Sequence, residues 1–282
     1  MTTSSRGLEF TFGIPTHIVF GMGALGGIGT HAKMLGFKRP LIVTDKVMSQ
    51  SDGLKQIVAK LSEAGLQSAV WDNIAAEPLD TTLTEGVQRY RAERCDGLIG
   101  FGGGSAMDTA KGVGVLAIAG EDDPGPYQRG GGKPVPGCVP VIAIPTTAGT
   151  GSEVTSVCVL THLRTGHKLP IKHASMLPKV AVVDPLLMLS MPVKVTTYTG
   201  IDALSHAVEC FTQIREHPFA DTLALQATKL IVENLPRAIQ DGGDRQARSN
   251  MALAAVMAGT GFEVGGLQFH AYAQALGAKY RG

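Results

Sequence analysis

Apolar runs of strand length alternate with helix-period patterns through the first two thirds of this chain, and few architectures accept that alternation. Leu41-Ile42-Val43-Thr44-Asp45, Ala69-Val70-Trp71, Gly97-Leu98-Ile99-Gly100-Phe101, Val139–Ile144 and Val180-Ala181-Val182-Val183 read as buried strands. Between them Leu54, Ile57, Val58 and Leu61, then Leu83, Val87 and Tyr90, and then the stretch from Ser105 to Ala119 recur at helical spacing. Strands buried on both faces and joined by helices form a parallel sheet with helices on either side. The opening residues Leu8–Phe12 and Ile18–Phe20 add an expected pair of strands, followed by a glycine cluster from Gly21 to Gly29 that suits either a turn or a close backbone approach to a ligand. Two further strands are expected at Ser156–Leu160 and Lys168–Lys172, joined by Arg164-Thr165-Gly166. From Thr196 onward every pattern is helical: Thr199–Phe211, Pro218–Ile239, Arg245–Gly261 and Val264–Ala278. The expected division is therefore an α/β domain with a Rossmann-like parallel sheet over residues 1–184 and an all-α domain over residues 185–282.

Charge and composition narrow the function. A net charge of +1 gives no electrostatic footprint for nucleic acid or an anionic membrane. The longest uncharged run, Pro134 to Ser152, is interrupted by Pro136, Pro140 and Pro145 and cannot be a membrane-spanning helix. Met1–Phe10 holds no apolar signal core, and Cys95, Cys138, Cys158 and Cys210 are too scattered to form a C-x-x-C pair; both features point to a cytoplasmic protein with reduced thiols. Neither a G-x-x-x-x-G-K-[ST] phosphate loop nor a G-x-S-x-G nucleophile elbow occurs.

Two stretches carry chemistry. Gly100-Phe101-Gly102-Gly103-Gly104-Ser105 lies between a strand and a helix, where backbone N–H groups and the helix dipole receive a pyrophosphate, provided that no Cβ holds the phosphate away. Ser105 stands where the ordinary dinucleotide fingerprint has its third glycine, so a purely structural turn is an equal reading. The acidic residues Glu121 to Asp123 fall in a loop and are poor ribose ligands, whereas Asp45 ends a strand and suits either the adenosine ribose hydroxyls or a helix cap. The second stretch, Thr199-Gly200-Ile201-Asp202-Ala203-Leu204-Ser205-His206, sets a carboxylate and an imidazole four residues apart, on one helical face. Such a pair is more often a solvated or hydrogen-bonded helix feature than a metal site; His270, in an uncharged helical segment, and the glycine-rich turn at Gly100–Ser105 raise the metal reading. The remaining histidines, His17, His31, His162, His167, His173 and His217, read as surface groups.

Taken in order, Gly102-Gly103-Gly104-Ser105 with Asp108 and Lys111, Pro145-Thr146-Thr147-x-Gly149-Thr150-Gly151-Ser152-Glu153, Asp184-Pro185, Gly200-Ile201-Asp202-Ala203-Leu204-x-His206-x-x-Glu209 and His270-Ala271 resemble the iron-containing (group III) alcohol dehydrogenases over nearly the whole chain. The resemblance implies hydride transfer between a small alcohol or aldehyde and nicotinamide, in a cleft between an NAD(P)-carrying domain and a metal-carrying helical domain. By motif it makes Asp202, His206 and His270 metal ligands and the residues through which catalysis acts. It places the cofactor on Gly102, Gly103, Gly104, Ser105 and Asp108, with Thr146, Thr147, Thr150 and Ser152 toward the nicotinamide half and Lys168 near the ribose. Asp45 favours NAD over NADP, since a 2′-phosphate would meet its charge. One carboxylate and two imidazoles suit Fe2+ and Zn2+ about equally, so iron is chosen by resemblance. A homodimer is expected.

Two departures stand out. Gln274 replaces a histidine that many family members carry near the substrate, and an amide cannot act as an acid or base. The family's fourth ligand, a histidine about fourteen residues beyond His270 by resemblance, would fall just past Gly282, so a C-terminally truncated chain with an incomplete helical domain is expected. Two alternatives remain open in the sequence: a glycerol-dehydrogenase- or dehydroquinate-synthase-like enzyme on the same fold, and a nucleotide-binding fragment without turnover.

Overall fold

In a computed structural model, which describes residues 8–75, 78–163, 165–214, 216–267 and 270, six strands form one wholly parallel sheet. These are β1 (His17–Phe20), β2 (Pro40–Asp45), β3 (Ala69–Ile74), β4 (Gly97–Gly102), β5 (Val141–Pro145) and β8 (Val180–Val183), in the spatial order β1-β8-β5-β4-β2-β3. Adjacent residues of a strand serve opposite faces. Leu41, Val43 and Leu98 pack with α3 (Asp80–Ala92) and α4 (Gly104–Ala119), while Ile42, Ile99 and Phe101 pack with α1 (Ile28–Met34) and α2 (Asp52–Glu63). The sheet is thus covered on both sides, as its near-continuous apolar strands require.

Two remaining strands, β6 (Val157–Thr161) and β7 (Lys168–Lys172), form a separate antiparallel hairpin. Beyond the sheet come α5 (Val193–Phe211), α6 (Pro218–Gln240) and α7 (Arg245–Gly265). Their shared core takes in Ala148 and Val154, from the loop after β5, together with Ala181 and Val183 of β8. That loop is therefore packed between the sheet and the helices.

Four details differ from the sequence reading. Leu8–Phe12 forms no strand; the alternation of Phe10 and Phe12 instead sets their rings against Phe219 and His217. The helix that carries Asp202 begins at Val193, six residues earlier than Thr199. Its first turns are threonine-rich, and Thr196, Thr197 and Thr199 return their hydroxyls to the carbonyls of Pro192, Val193 and Val195, which lets β-branched polar residues sit in a helix without an apolar stripe. His217 is not a surface group: it is 5% exposed, its Nδ1 accepts the Ala220 N–H at the start of α6, and its Nε2 lies 3.1 Å from the Thr11 carbonyl. The third helix runs on to Gly265 and stops there, with Gly266 at φ 98°. Of the helix expected at Val264–Ala278, the part beyond His270, Gln274 included, lies outside the described residues, as do Arg164 and Ala271.

The glycine cluster after β1 also finds its explanation. Asp184, 2% exposed, accepts N–H groups from Gly23 on Oδ1 and Leu25 on Oδ2. Oδ1 also caps the short turn that follows, through the Leu186 N–H. The Asp-Pro motif thus pins the glycine-rich turn to the end of β8, and these backbone groups are committed to protein rather than to a ligand.

Candidate active site

Strands β2, β4 and β5 run parallel and end side by side at Asp45, Gly102 and Pro145, the edge at which open α/β sheets bind ligands. Gly102 has φ +146°, a backbone conformation that L side chains rarely adopt, and turns the chain straight into α4. Thr146 donates its N–H to the Gly102 carbonyl at 2.9 Å, tying the loop after β5 to the turn. A Cβ on Gly103 would meet only ordinary contact, Thr147 Cγ2 at 3.6 Å, whereas one on Gly104 would stand 2.8 Å from Thr150 Cγ2. Gly104 is therefore required by Thr150, not only by a phosphate as its place in the motif implies. Asp45 lies beside this turn, with its Oδ2 3.6 Å from where a Gly102 Cβ would be, and its Oδ1 accepts the Val47 and Met48 N–H groups. The cap reading of Asp45 thus holds for one carboxylate oxygen.

A buried ion pair braces α4 to the loop that faces it. Lys111, 0% exposed, donates to Ser152 Oγ at 2.7 Å and to the Val157 carbonyl at 3.0 Å, and lies 3.6 Å from Asp108 Oδ1. Asp108 in turn accepts the Ser152 hydroxyl at 2.5 Å and the Val159 N–H at 2.9 Å. Every charged group here has partners, as burial demands. Neighbouring Glu153 is buried, and loss of hydration pushes its carboxyl up to about 7 against the pull of Lys111. The motif by itself assigns Lys111 no role, yet the sequence carries its signal: Asp108 and Lys111 are the only charged residues between Ser105 and Ala119, and they are spaced to meet.

A cavity of about 860 Å³ opens from the start of α4. Gly104, Ser105, Asp108, Thr150, Ser152 and Lys168 line it from α4, the loop after β5 and the hairpin, and Asp202, His206 and His270 line it from the helical region and the segment after it. Asp45, Gly102, Gly103, Thr146 and Thr147 are not part of its wall; they lie at, or directly after, the ends of β2, β4 and β5.

On the helical side three ligand-type atoms face one another. His206 Nε2 lies 3.3 Å from His270 Nε2, and Asp202 Oδ1 lies 3.8 Å and 3.7 Å from them. A point about 2.1 Å from all three exists between them, which is the bond length of a divalent ion to imidazole nitrogen or carboxylate oxygen. Two imidazole nitrogens this close, in a group of three donors within 4.8 Å of one another, fit a cation. His206 is 4% exposed, with the Phe262 ring against it at 4.7 Å. Burial lowers its pKa, with Asp202 opposing and His270 assisting, so the ring is held in the neutral form that a metal ligand needs. Glu209, one turn further along α5, accepts the His270 N–H at 2.8 Å.

Comparison with known proteins agrees with this geometry. Residues 15–185 match the family model described as iron-containing alcohol dehydrogenase, and residues 196–281 match that of the Fe-containing alcohol dehydrogenase family, C-terminal. The chain belongs to the iron-containing alcohol dehydrogenase family. Among its relatives, the NAD-dependent methanol dehydrogenase of Bacillus methanolicus is 44% identical over 276 residues, which cover 96% of this chain and 71% of that protein. The 1,3-propanediol dehydrogenase of Klebsiella pneumoniae is 40% identical, with 96% and 70% covered. Within the same family, the crystal structure of a 1,3-propanediol oxidoreductase superposes with a TM-score of 0.91 at 37% identity, over 97% of this chain and 72% of that one. That of the sulfoacetaldehyde reductase from Bifidobacterium kashiwanohense, in complex with NAD+, gives 0.89 at 33%, over 98% and 76%. Both the α/β sheet and the helical region are thus those of iron-containing alcohol dehydrogenases.

Proposed function

We propose that this chain transfers hydride between a small primary alcohol and NAD in the cleft just described, with Asp202, His206 and His270 holding a divalent iron. It is an NAD-dependent oxidoreductase of the iron-containing alcohol dehydrogenase type, and the reverse reaction reduces the aldehyde. The observation that carries the residue assignment is the continuity of one cavity from the N-terminus of α4 to the three facing donor atoms. When bound, the metal supplies Lewis acidity toward an alcohol or carbonyl oxygen, and the nicotinamide supplies the hydride acceptor.

The chain's own residues do the rest. The first N–H groups of α4, at Gly104 and Ser105, hold the pyrophosphate, with Gly103 leading into them; Thr150 and Ser152 orient the nicotinamide half, with Thr146 and Thr147 holding the turn from beside it; Lys168 serves the ribose. Phe262, whose ring packs on His206, and Leu267 line the cavity and exclude water from the reacting carbons. Asp45 Oδ2 faces the adenosine ribose, so NAD binds better than NADP and Asp45→Gly narrows the difference; equal affinities in the unchanged chain contradict this. A methanol dehydrogenase and a propanediol dehydrogenase among the relatives support a short alcohol as substrate.

The functional division falls at Asp184, with residues 1–184 carrying nucleotide and 185–282 carrying metal; the limits of the two family models support it. A homodimer in the cytoplasm completes the reading. Among the described residues no helix is long and apolar enough to cross a membrane. The test is NADH production from methanol, ethanol, 1,3-propanediol and glycerol by the iron-loaded chain, beside elemental analysis of the same preparation. Alcohol-dependent NADH formation that rises with iron content is expected, and oxidation that proceeds equally after complete removal of metal contradicts the proposal.

A further inference from the structure

We infer that Glu209 is a positioning residue, which fixes the ring of His270 and through it the metal affinity of the three-residue group. The inference rests on the metal reading above. Glu209 follows His206 by three residues on α5, so the same helical face presents both. Its carboxylate divides between backbone and ring of His270: Oε2 accepts the His270 N–H at 2.8 Å, and Oε1 stands 3.5 Å from Nδ1. That nitrogen is buried and has no hydrogen-bond partner, while Nε2 of the same ring faces His206 and Asp202. A proton on Nδ1 therefore points toward a carboxylate, and the lone pair is left on Nε2, toward the cation position.

His270 needs such an anchor more than its partners do. Asp202 and His206 are fixed by α5 itself, and Phe262 packs on the His206 ring. His270 comes five residues after the last residue of α7, beyond Gly266, whose φ is positive at 98°. Without Glu209 the ring loses both the hydrogen bond that sets its backbone and the negative charge that selects its tautomer. A carboxylate behind a ligating imidazole also raises the basicity of the bound nitrogen, and losing one costs about 10–100-fold in metal affinity.

Two substitutions separate this role from simple anchoring. Glu209→Gln keeps an oxygen that accepts the His270 N–H but removes the charge facing Nδ1, and Glu209→Asp keeps the charge on a shorter arm. The full chain and both variants, with His206→Ala beside them, are titrated with Zn2+ against a chromophoric chelator, and with Co2+ for its d–d absorption. NAD affinity is measured on each. Glu209→Gln is expected to bind Zn2+ about 10–100-fold more weakly than the unchanged chain, with an altered Co2+ spectrum and unchanged NAD affinity, and Glu209→Asp to recover part of the loss. If Glu209→Gln binds metal as tightly as the unchanged chain while His206→Ala does not, Glu209 only anchors backbone and the inference is overturned. An unchanged chain that takes up no metal at all overturns the metal reading, and this inference with it.

Discussion

At its nucleotide end the cleft is built of groups that bond to one another; at its metal end it gathers donor atoms around one point. Lys111, Asp108 and Ser152 bond together, and Thr146 ties the turn to the facing loop, so that end holds its shape from internal contacts. Asp202, His206 and His270 instead bring three electron-rich atoms to within 3.8 Å of one another, an arrangement that a bound cation stabilises. Substitutions at the first end should therefore register as stability, and at the second as lost ligand.

The largest effect should follow from Asp108→Ala. It leaves the Lys111 ammonium buried without its counter-charge, and breaking a buried pair in this way costs about 3–5 kcal/mol. Urea denaturation should show that loss, while Asp202→Ala, at a half-buried carboxylate, changes the stability of metal-free protein by about 0.5 kcal/mol or less. Equal losses from the two would erase the contrast.

A smaller effect separates two adjacent glycines. Gly104→Ala drives a Cβ into Thr150 and should lower stability by about 1–3 kcal/mol, as overpacking does. Gly103→Ala meets only ordinary contact with Thr147, so it should fold normally and, as the residue that leads into the first N–H groups of α4, lose NAD affinity. Melting curves paired with nucleotide fluorescence titrations distinguish them, and a Gly103→Ala variant with undiminished affinity would move the pyrophosphate elsewhere.

The smallest is a pH effect. Glu153 holds its proton in the fold up to about 7, whereas the unfolded chain releases it near 4.5. The folded state therefore binds the extra proton between those values, so the stability this group contributes is full below 4.5 and is lost as pH rises through 7. Glu153→Gln should flatten the decline in stability over that interval. An unchanged slope would mean that Glu153 is ionised in the fold.

Legibility in the sequence followed locality. The inner strands β2, β4, β5 and β8 were visible to within one or two residues, because burial on both faces writes continuous apolar runs into them, whereas β3 runs on to Ile74, three residues beyond Trp71, through the polar Asp72 and Asn73. The hairpin and the three long helices were visible too, apart from the threonine-rich start of α5, whose hydroxyl-to-carbonyl bonds leave no periodic trace. Leu8–Phe12 misled because alternation that serves ring packing looks like alternation that serves a sheet. At the site, the spacing of Asp202 and His206 gave the helical face but not the third donor that faces them. His270 drew notice for its uncharged segment, but only resemblance joined it to the other two, since 64 residues separate it from His206. Contacts of this kind, Glu209 with His270, Ser156 with Glu263 and Asp184 with Gly23 and Leu25, exist only once the chain is folded, and no local pattern announces them.

The measurement that bears most directly on the difference between the two ends is an NAD titration of the chain before and after dialysis against chelator, with His206→Ala alongside and metal content determined on every sample. Sites that share no side-chain partner perturb one another by a few tenths of a kcal/mol, so NAD affinity should stay within about twofold in all three samples. Metal content should fall from one equivalent to none, and turnover by about 1,000-fold or more, as the loss of several kcal/mol of Lewis-acid stabilisation requires. An NAD affinity that collapses together with the metal would show that the nucleotide end is not preformed, and would contradict the division between the two ends of the cleft.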